Sequence, residues 1–126
     1  MTNKDTYFDE PDFESHMTFL IEEANLIVEL DPFEALKLFN DANKLYDEVG
    51  CFPLGTLDLA VSIVVNIAKT NMDEAIKQLK IIDVECYELD ALNDIFIYAR
   101  DQTHIEYINN RIQELEKEIE KLELKK

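Results

Sequence analysis

The sequence predicts an all-α protein of antiparallel helical hairpins, arranged as a bundle or a short array, with a coiled-coil-like helix at its C-terminal end. Three observations lead there. Apolar residues recur three and four positions apart through most of the chain, which is the period of a helix face and not of a strand. Two glycines and three prolines in 126 residues leave few places for turns, so helices must be long and connections short. Residues 105–122 carry an uninterrupted heptad pattern. A chain of this length forms one domain that buries roughly two thirds of its unfolded surface, enough for a core without a disulfide or metal. The expected organisation is a hairpin domain of about five helices over 1–104, frayed over 1–10 and continuous with a heptad-patterned helix over 105–126.

The first helix is announced by Asp9-Glu10-Pro11-Asp12, where proline suits the first helical position and acids suit the first turn. Phe13, Met17, Leu20, Ala24 and Ile27 or Val28 form one stripe, with Glu14, Glu22, Glu23 and Glu29 outside it. The helix stops at Asp31-Pro32, because proline disfavours the α conformation in the residue before it. Asp31 can cap the second helix, with Pro32 at its first position and Glu34 reaching back. Helices joined so closely form a hairpin. The second carries Ala35, Leu38, Phe39, Ala42, Leu45 or Tyr46, and Val49 on one face, and stops at Gly50, which accepts a left-handed C-cap without steric cost. Residues 51–55 form the one clear loop.

A third helix, 56–69, is apolar nearly all round, broken by a narrow polar line of Asp58, Ser62, Asn66 and Lys69, and is expected at the centre. Its β-branched content would suit a strand, but polar residues recurring at four, four and three select a helix. Asn71 with Glu74 caps a fourth helix whose Ala75, Leu79 and Ile82 point inward. A break over 83–90 leads to a fifth helix, with Asp90 as cap and Leu92, Ile95, Phe96 and Ala99 facing the core. Asp101-Gln102-Thr103 opens the last helix or rekinks the fifth, since Thr103 followed by Glu106 before an apolar run has the pattern of a capping box.

From there Ile105, Ile108, Ile112, Leu115, Ile119 and Leu122 alternate spacings of three and four, with isoleucine at every a position. A straight surface helix drifts across such a seam, so the pattern favours a left-handed coiled-coil contact. Three occupants fit: a second copy through residues 105–124, giving a homodimer, helices of the same chain, or a foreign helix. In a parallel pair Arg111 would meet Glu116 favourably while Glu118 would meet Glu123 with like charge, so the flanking charges choose none of them.

Two segments look alike, Pro32-Phe33-Glu34-Ala35-Leu36-Lys37-Leu38-Phe39-Asn40-Asp41-Ala42 and Met72-Asp73-Glu74-Ala75-Ile76-Lys77-Gln78-Leu79-Lys80-Ile81-Ile82. Both share Glu-Ala-(Leu/Ile)-Lys with apolar residues four and seven after the alanine, and each follows a similar helix and a very short turn. This resembles the second helix of a tetratricopeptide repeat. Helices one with two, and three with four, then look like two repeats, with the remainder as an irregular third unit. The alanines lie 40 residues apart, against about 34 in that family. Glu23 and Ile63 stand where the family's first-helix glycine falls, and the usual proline after the second helix is absent. The resemblance implies a protein-binding scaffold with a concave face and carries over no ligand and no binding residues.

Twenty-eight acids against twelve bases leave a net charge of −16. Such a surface repels nucleic acid and anionic membranes and steers basic proteins toward it. Residues 1–34 hold ten acids and one base, and 83–94 hold a second group of acids with no base. Asp9, Glu10, Asp12, Glu14, Glu22, Glu23, Glu29, Asp83, Glu85 and Glu88 are therefore the candidate partner-binding surface. Chemistry finds no foothold: His16 and His104 stand in separate elements without metal or triad spacing, no glycine-rich phosphate loop exists, and the Glu-x-x-His pairs of a di-iron bundle are missing. No catalytic residue, metal or cofactor is expected.

Cys51 and Cys86 lack a CxxC or Cys/His context and read as free thiols, Cys51 near a loop and Cys86 packed as a small hydrophobe. The start of the chain has no apolar signal core, and the near-apolar stretch 54–68 is too short to span a bilayer, so a cytoplasmic protein without membrane contact is expected. Two functions fit. One is a non-enzymatic interaction module, an adaptor or small chaperone, that holds a partner helix or peptide beside the third helix and docks basic partner residues on the acidic rim of the first two. The other is an acidic inhibitor or immunity-type protein whose carboxylates imitate phosphates and block a nuclease or a DNA- or RNA-binding protein.

Overall fold

The computed structural model describes residues 12–124, which form seven α-helices and one 3-10 turn, with no strand among them. Helix α1, Phe13–Ile27, opens on Asp12, whose carboxylate accepts the Ser15 backbone N–H at 3.0 Å and the Ser15 hydroxyl at 2.8 Å. The expected opening at Pro11 lies outside the described residues. Met17, Leu20, Ile21 and Ala24 form its buried stripe. Helix α2, Pro32–Asn43, starts as predicted, with the Asp31 carboxylate accepting the Glu34 N–H at 3.1 Å.

The second predicted helix does not run unbroken to Gly50. Asn40, Asp41 and Asn43 are weak helix formers, and the turn tightens where Leu45 N–H donates to the Ala42 carbonyl at 3.0 Å. A four-residue helix α3, Tyr46–Val49, follows and ends at Gly50 with φ 88°, the left-handed cap that its sequence position predicts.

Helix α4, Thr56–Ala68, is the central element and packs against α1, α2 and the two helices that follow it. Leu59, Ala60, Ile63, Val64 and Ile67 are shut away from solvent. Helix α5, Met72–Gln78, is capped by Asn71, which accepts the Glu74 N–H at 3.0 Å, and tightens into the 3-10 turn Leu79–Ile81 before the buried Ile82.

Helix α6, Glu85–Phe96, begins five residues before the predicted cap, so Asp90 is an exposed mid-helix residue. Burial of Ala91, Leu92 and Ile95 extends the helix back through an acidic first turn, which suits the positive end of its dipole. Phe96, expected in the core, is 38% exposed, because one residue after the buried Ile95 is about 100° round the helix. Cys86 is also exposed and not packed: nine residues before Ile95 is the opposite side of α6.

Helix α7, Gln102–Leu124, is opened by Asp101, whose carboxylate accepts the Thr103 N–H at 2.8 Å, and not by Thr103 itself.

The helices pair as three hairpins, α1–α2, α4–α5 and α6–α7. The starts of α4 and α6 meet at one end, where Leu57, Asp58 and Tyr87 line a common hollow. The starts of α5 and α7 meet at the other, where His104 pairs with Asp73. Residues Ile108 and Leu115 of the heptad seam are 0% and 1% exposed along α6, with Ile105 and Ile112 packed at the edge of the core. The seam is thus filled by the same chain over its first two heptads. At 1.5 Å per residue α6 is about 18 Å long and α7 about 35 Å, so α7 runs past its neighbour; Ile119 is half-buried there and Leu122 is 52% exposed.

Candidate partner-binding surface

Helix α1 has two apolar sides. The inner stripe serves the core, but Phe19 and Leu26, seven residues apart, fall on one outer line that continues to Leu30 in the turn after the helix. These three side chains are 58%, 76% and 88% exposed. Glu22 and Glu23 flank that line at about 60° and 40° from Phe19, with Glu29 beside Leu30. Phe33, 45% exposed at the start of α2, extends the patch around the hairpin turn. The acids were legible in the sequence as charge. The apolar line among them was not singled out, although the seven-residue spacing of Phe19 and Leu26, off the inner stripe, is its signal.

The other predicted acids have different fates. Asp9 and Glu10 lie outside the described residues. Asp12 is engaged as the α1 cap, and the Ser15 N–H, followed by the Ser15 hydroxyl, holds its carboxyl below the usual carboxylate range. Glu14 is exposed about 140° round α1 from Phe19, away from the apolar line. Glu88 does not face a partner: its side chain is 12% exposed and takes both forks of Arg111, with Nε at 2.8 Å and Nη2 at 3.0 Å. Those hydrogen bonds hold the guanidinium firmly in its charged form, and Arg111 Nη1 reaches Glu114 at 3.4 Å. Arg111 therefore clips α7 to α6 within one chain, where a paired second chain would have offered it Glu116. Asp83 and Glu85 are exposed around the start of α6.

The polar line of α4 is its uncovered side. Asp58, Ser62, Asn66 and Lys69, with Val61 and Val65, occupy one sector of about 140°, and all are half-buried or exposed. Asn66 Nδ2 donates to the Ser62 carbonyl at 2.8 Å and Lys69 Nζ to Asn66 Oδ1 at 3.2 Å, so the line is internally satisfied at its far end. A hollow opens at each end of this sector. One, about 490 Å³, joins Asn66 and Lys69 to Glu29, Leu30 and Phe33 and so is continuous with the α1 patch. The other, about 860 Å³, joins Asp58 to loop residues 52–55 and to Asp83.

The structure thus brings Glu22, Glu23 and Glu29 together around exposed apolar side chains, sets Asp83 apart at the other end of the molecule, and withdraws Asp12 and Glu88 into structural roles. Among the described residues no three of His, Cys, Asp and Glu converge to hold a metal ion, and no helix is long and apolar enough to cross a membrane. No protein-family model matches the chain, and no curated protein and no solved structure matches it.

Proposed function

We propose that this protein is a non-enzymatic helical interaction module, an adaptor or small chaperone, that binds a basic partner protein in the cytoplasm through the outer face of α1. The observation that carries the reading is the exposed line Phe19, Leu26 and Leu30 set among Glu22, Glu23 and Glu29. Leucines 76% and 88% exposed are costly in water, and covering one is worth about 1.5 to 3 kcal/mol. Carboxylates on both sides select a partner helix with a basic margin and an apolar centre, the helix-in-groove mode of recognition. Three hairpins side by side also support the resemblance to tetratricopeptide-type stacking, which implies a protein-binding scaffold.

Capture from the native host identifies the partner, and purified components then test the mode. Leu26→Ser with Leu30→Ser should weaken binding by at least about tenfold through faster dissociation, without loss of folding, since both side chains lie outside the core. Glu22→Lys with Glu23→Lys should mainly slow association and flatten its salt dependence. If the serine variants bind as well as the parent and nucleic acid competes for the same partner surface, the carboxylates alone are the contact and the protein is a phosphate-mimicking inhibitor.

A further inference from the structure

The only two glycines of the chain bracket the loop between α3 and α4, and both adopt left-handed backbone, Gly50 at φ 88° and Gly55 at φ 87°. Between them the loop is held in place. Thr56, 5% exposed, donates its hydroxyl to the Pro53 carbonyl at 2.6 Å, and the Phe52 ring lies 4.8 Å from that of Tyr46, centroid to centroid. The loop forms one wall of the hollow of about 860 Å³, a volume within the usual range of ligand sites. Phe39 and Tyr87 complete an aromatic lining with Tyr46 and Phe52, and Leu54, wholly exposed, stands at the lip.

Two carboxylates enter the same space. Asp58 comes from the first turn of α4 and Asp83 from the strand-like link before α6; both are exposed, and among the described residues neither forms an ion pair. Lys80 is the one cation on the lining, so the hollow stays net negative within a protein of charge −16. Aromatic faces beside free carboxylates match one kind of group, a cation on an aliphatic stem. The stem covers apolar surface, the rings attract the charge, and the carboxylates accept its hydrogen bonds. A guanidinium suits this better than an ammonium, because its flat, weakly hydrated fork can stack on a ring and reach a carboxylate together.

We propose that this hollow is a second recognition site, distinct from the α1 face, which receives an arginine side chain from an extended segment of a partner protein. The guanidinium stacks against the Tyr46, Phe52 and Tyr87 lining and bonds to Asp58 and Asp83, while apolar neighbours of the arginine rest on the exposed Leu54. No residue of α1 lines this hollow, so the site stands or falls apart from the α1 surface.

The test uses the isotopically labelled full chain at physiological salt, titrated with acetyl-Leu-Arg-Leu-amide and with its citrulline counterpart, which keeps the shape and loses the charge. The expected result is a saturable shift of the Phe52, Asp58 and Tyr87 amide signals by the arginine peptide, with affinity at least about tenfold lower for citrulline, as loss of a charge-assisted hydrogen bond implies. Asp58→Asn with Asp83→Asn should cause a similar loss while leaving the melting temperature unchanged. Equal binding of both peptides would overturn the proposal by making the hollow a purely apolar site. Shifts confined to the Glu22 and Glu23 signals would also overturn it, assigning cation binding to α1 alone. An Asn variant that binds the arginine peptide as the parent does would remove the carboxylates from the contact and sink it as well.

Discussion

Single carboxylates in this protein do three different jobs, and charge counting alone does not separate them. Asp12 and Asp101 cap helices; Glu88 anchors a guanidinium; Glu22, Glu23 and Glu29 face water among apolar side chains. Asp101 shows how local the decision is. Thr103 and Glu106 have the spacing of a capping box, but α7 begins at Gln102, so the cap position falls to Asp101 and its carboxylate takes the Thr103 N–H. Asp101→Ala should therefore lower the melting temperature at neutral pH, and Thr103→Ala should change it little. The Thr103 backbone N–H holds the Asp101 carboxyl below its ordinary value of 3.8 in the folded state. Its contribution is then fully present above that value and disappears as pH falls through the lowered folded value. Thermal melts of parent and Asp101→Ala across the acid range should converge at the acid end; a gap that persists there would show that the side chain acts by something other than its charge.

At the level of elements, helix ends set by adjacent residues were legible and those set by distant packing were not. Asp31-Pro32, Asn71 and Gly50 act within one turn, and each stands where the sequence places it. The start of α6 has no such marker: Val84 makes no side-chain cap, and the helix that reaches back to Glu85 packs on α4 and α7 with Ala91, Leu92 and Ile95 buried. The heptad seam raises the same issue. Its period was plain, but periodicity does not say whose helix fills it, and α6 covers Ile108 and Leu115. Replacing either by alanine should cost about 2 to 5 kcal/mol in denaturant unfolding, whereas Leu122→Ala should stay within about 0.5 kcal/mol. Ile119→Asp with Leu122→Asp, followed by light scattering, tests the overhang. A lower mass than the parent assigns it to a second copy, and an unchanged mass rules out self-association through it.

For the molecule as a whole, a charge of −16 acts against compaction. Arg111 with Glu88 and Glu114 and Lys44 with Asp41 are the Lys/Arg–carboxylate contacts among the described residues, too few to offset the acidic excess. Repulsion between exposed like charges is screened over a Debye length of about 10 Å at 0.1 M salt. The melting temperature should therefore rise from low to physiological salt, while association with a basic partner slows over the same range. A melting temperature that falls with salt would mean that local attractions outweigh the net repulsion.

The helical class, the hairpin turns and the buried centrality of α4 were all present in the chain as written, because helix period, caps and breakers act over a few residues. The acidic excess was equally plain. What the acids surround was decided only by the assembled fold. Packing spends the inner stripe of α1 on the core and strands Phe19, Leu26 and Leu30 outside. It draws Glu88 onto an arginine 23 residues away, and it brings Asp58 at the start of α4 and Asp83 in the link before α6 to one aromatic hollow. Contacts between residues far apart in sequence leave no period in it, so only the tertiary arrangement distinguishes a structural carboxylate from one that is free to meet a partner.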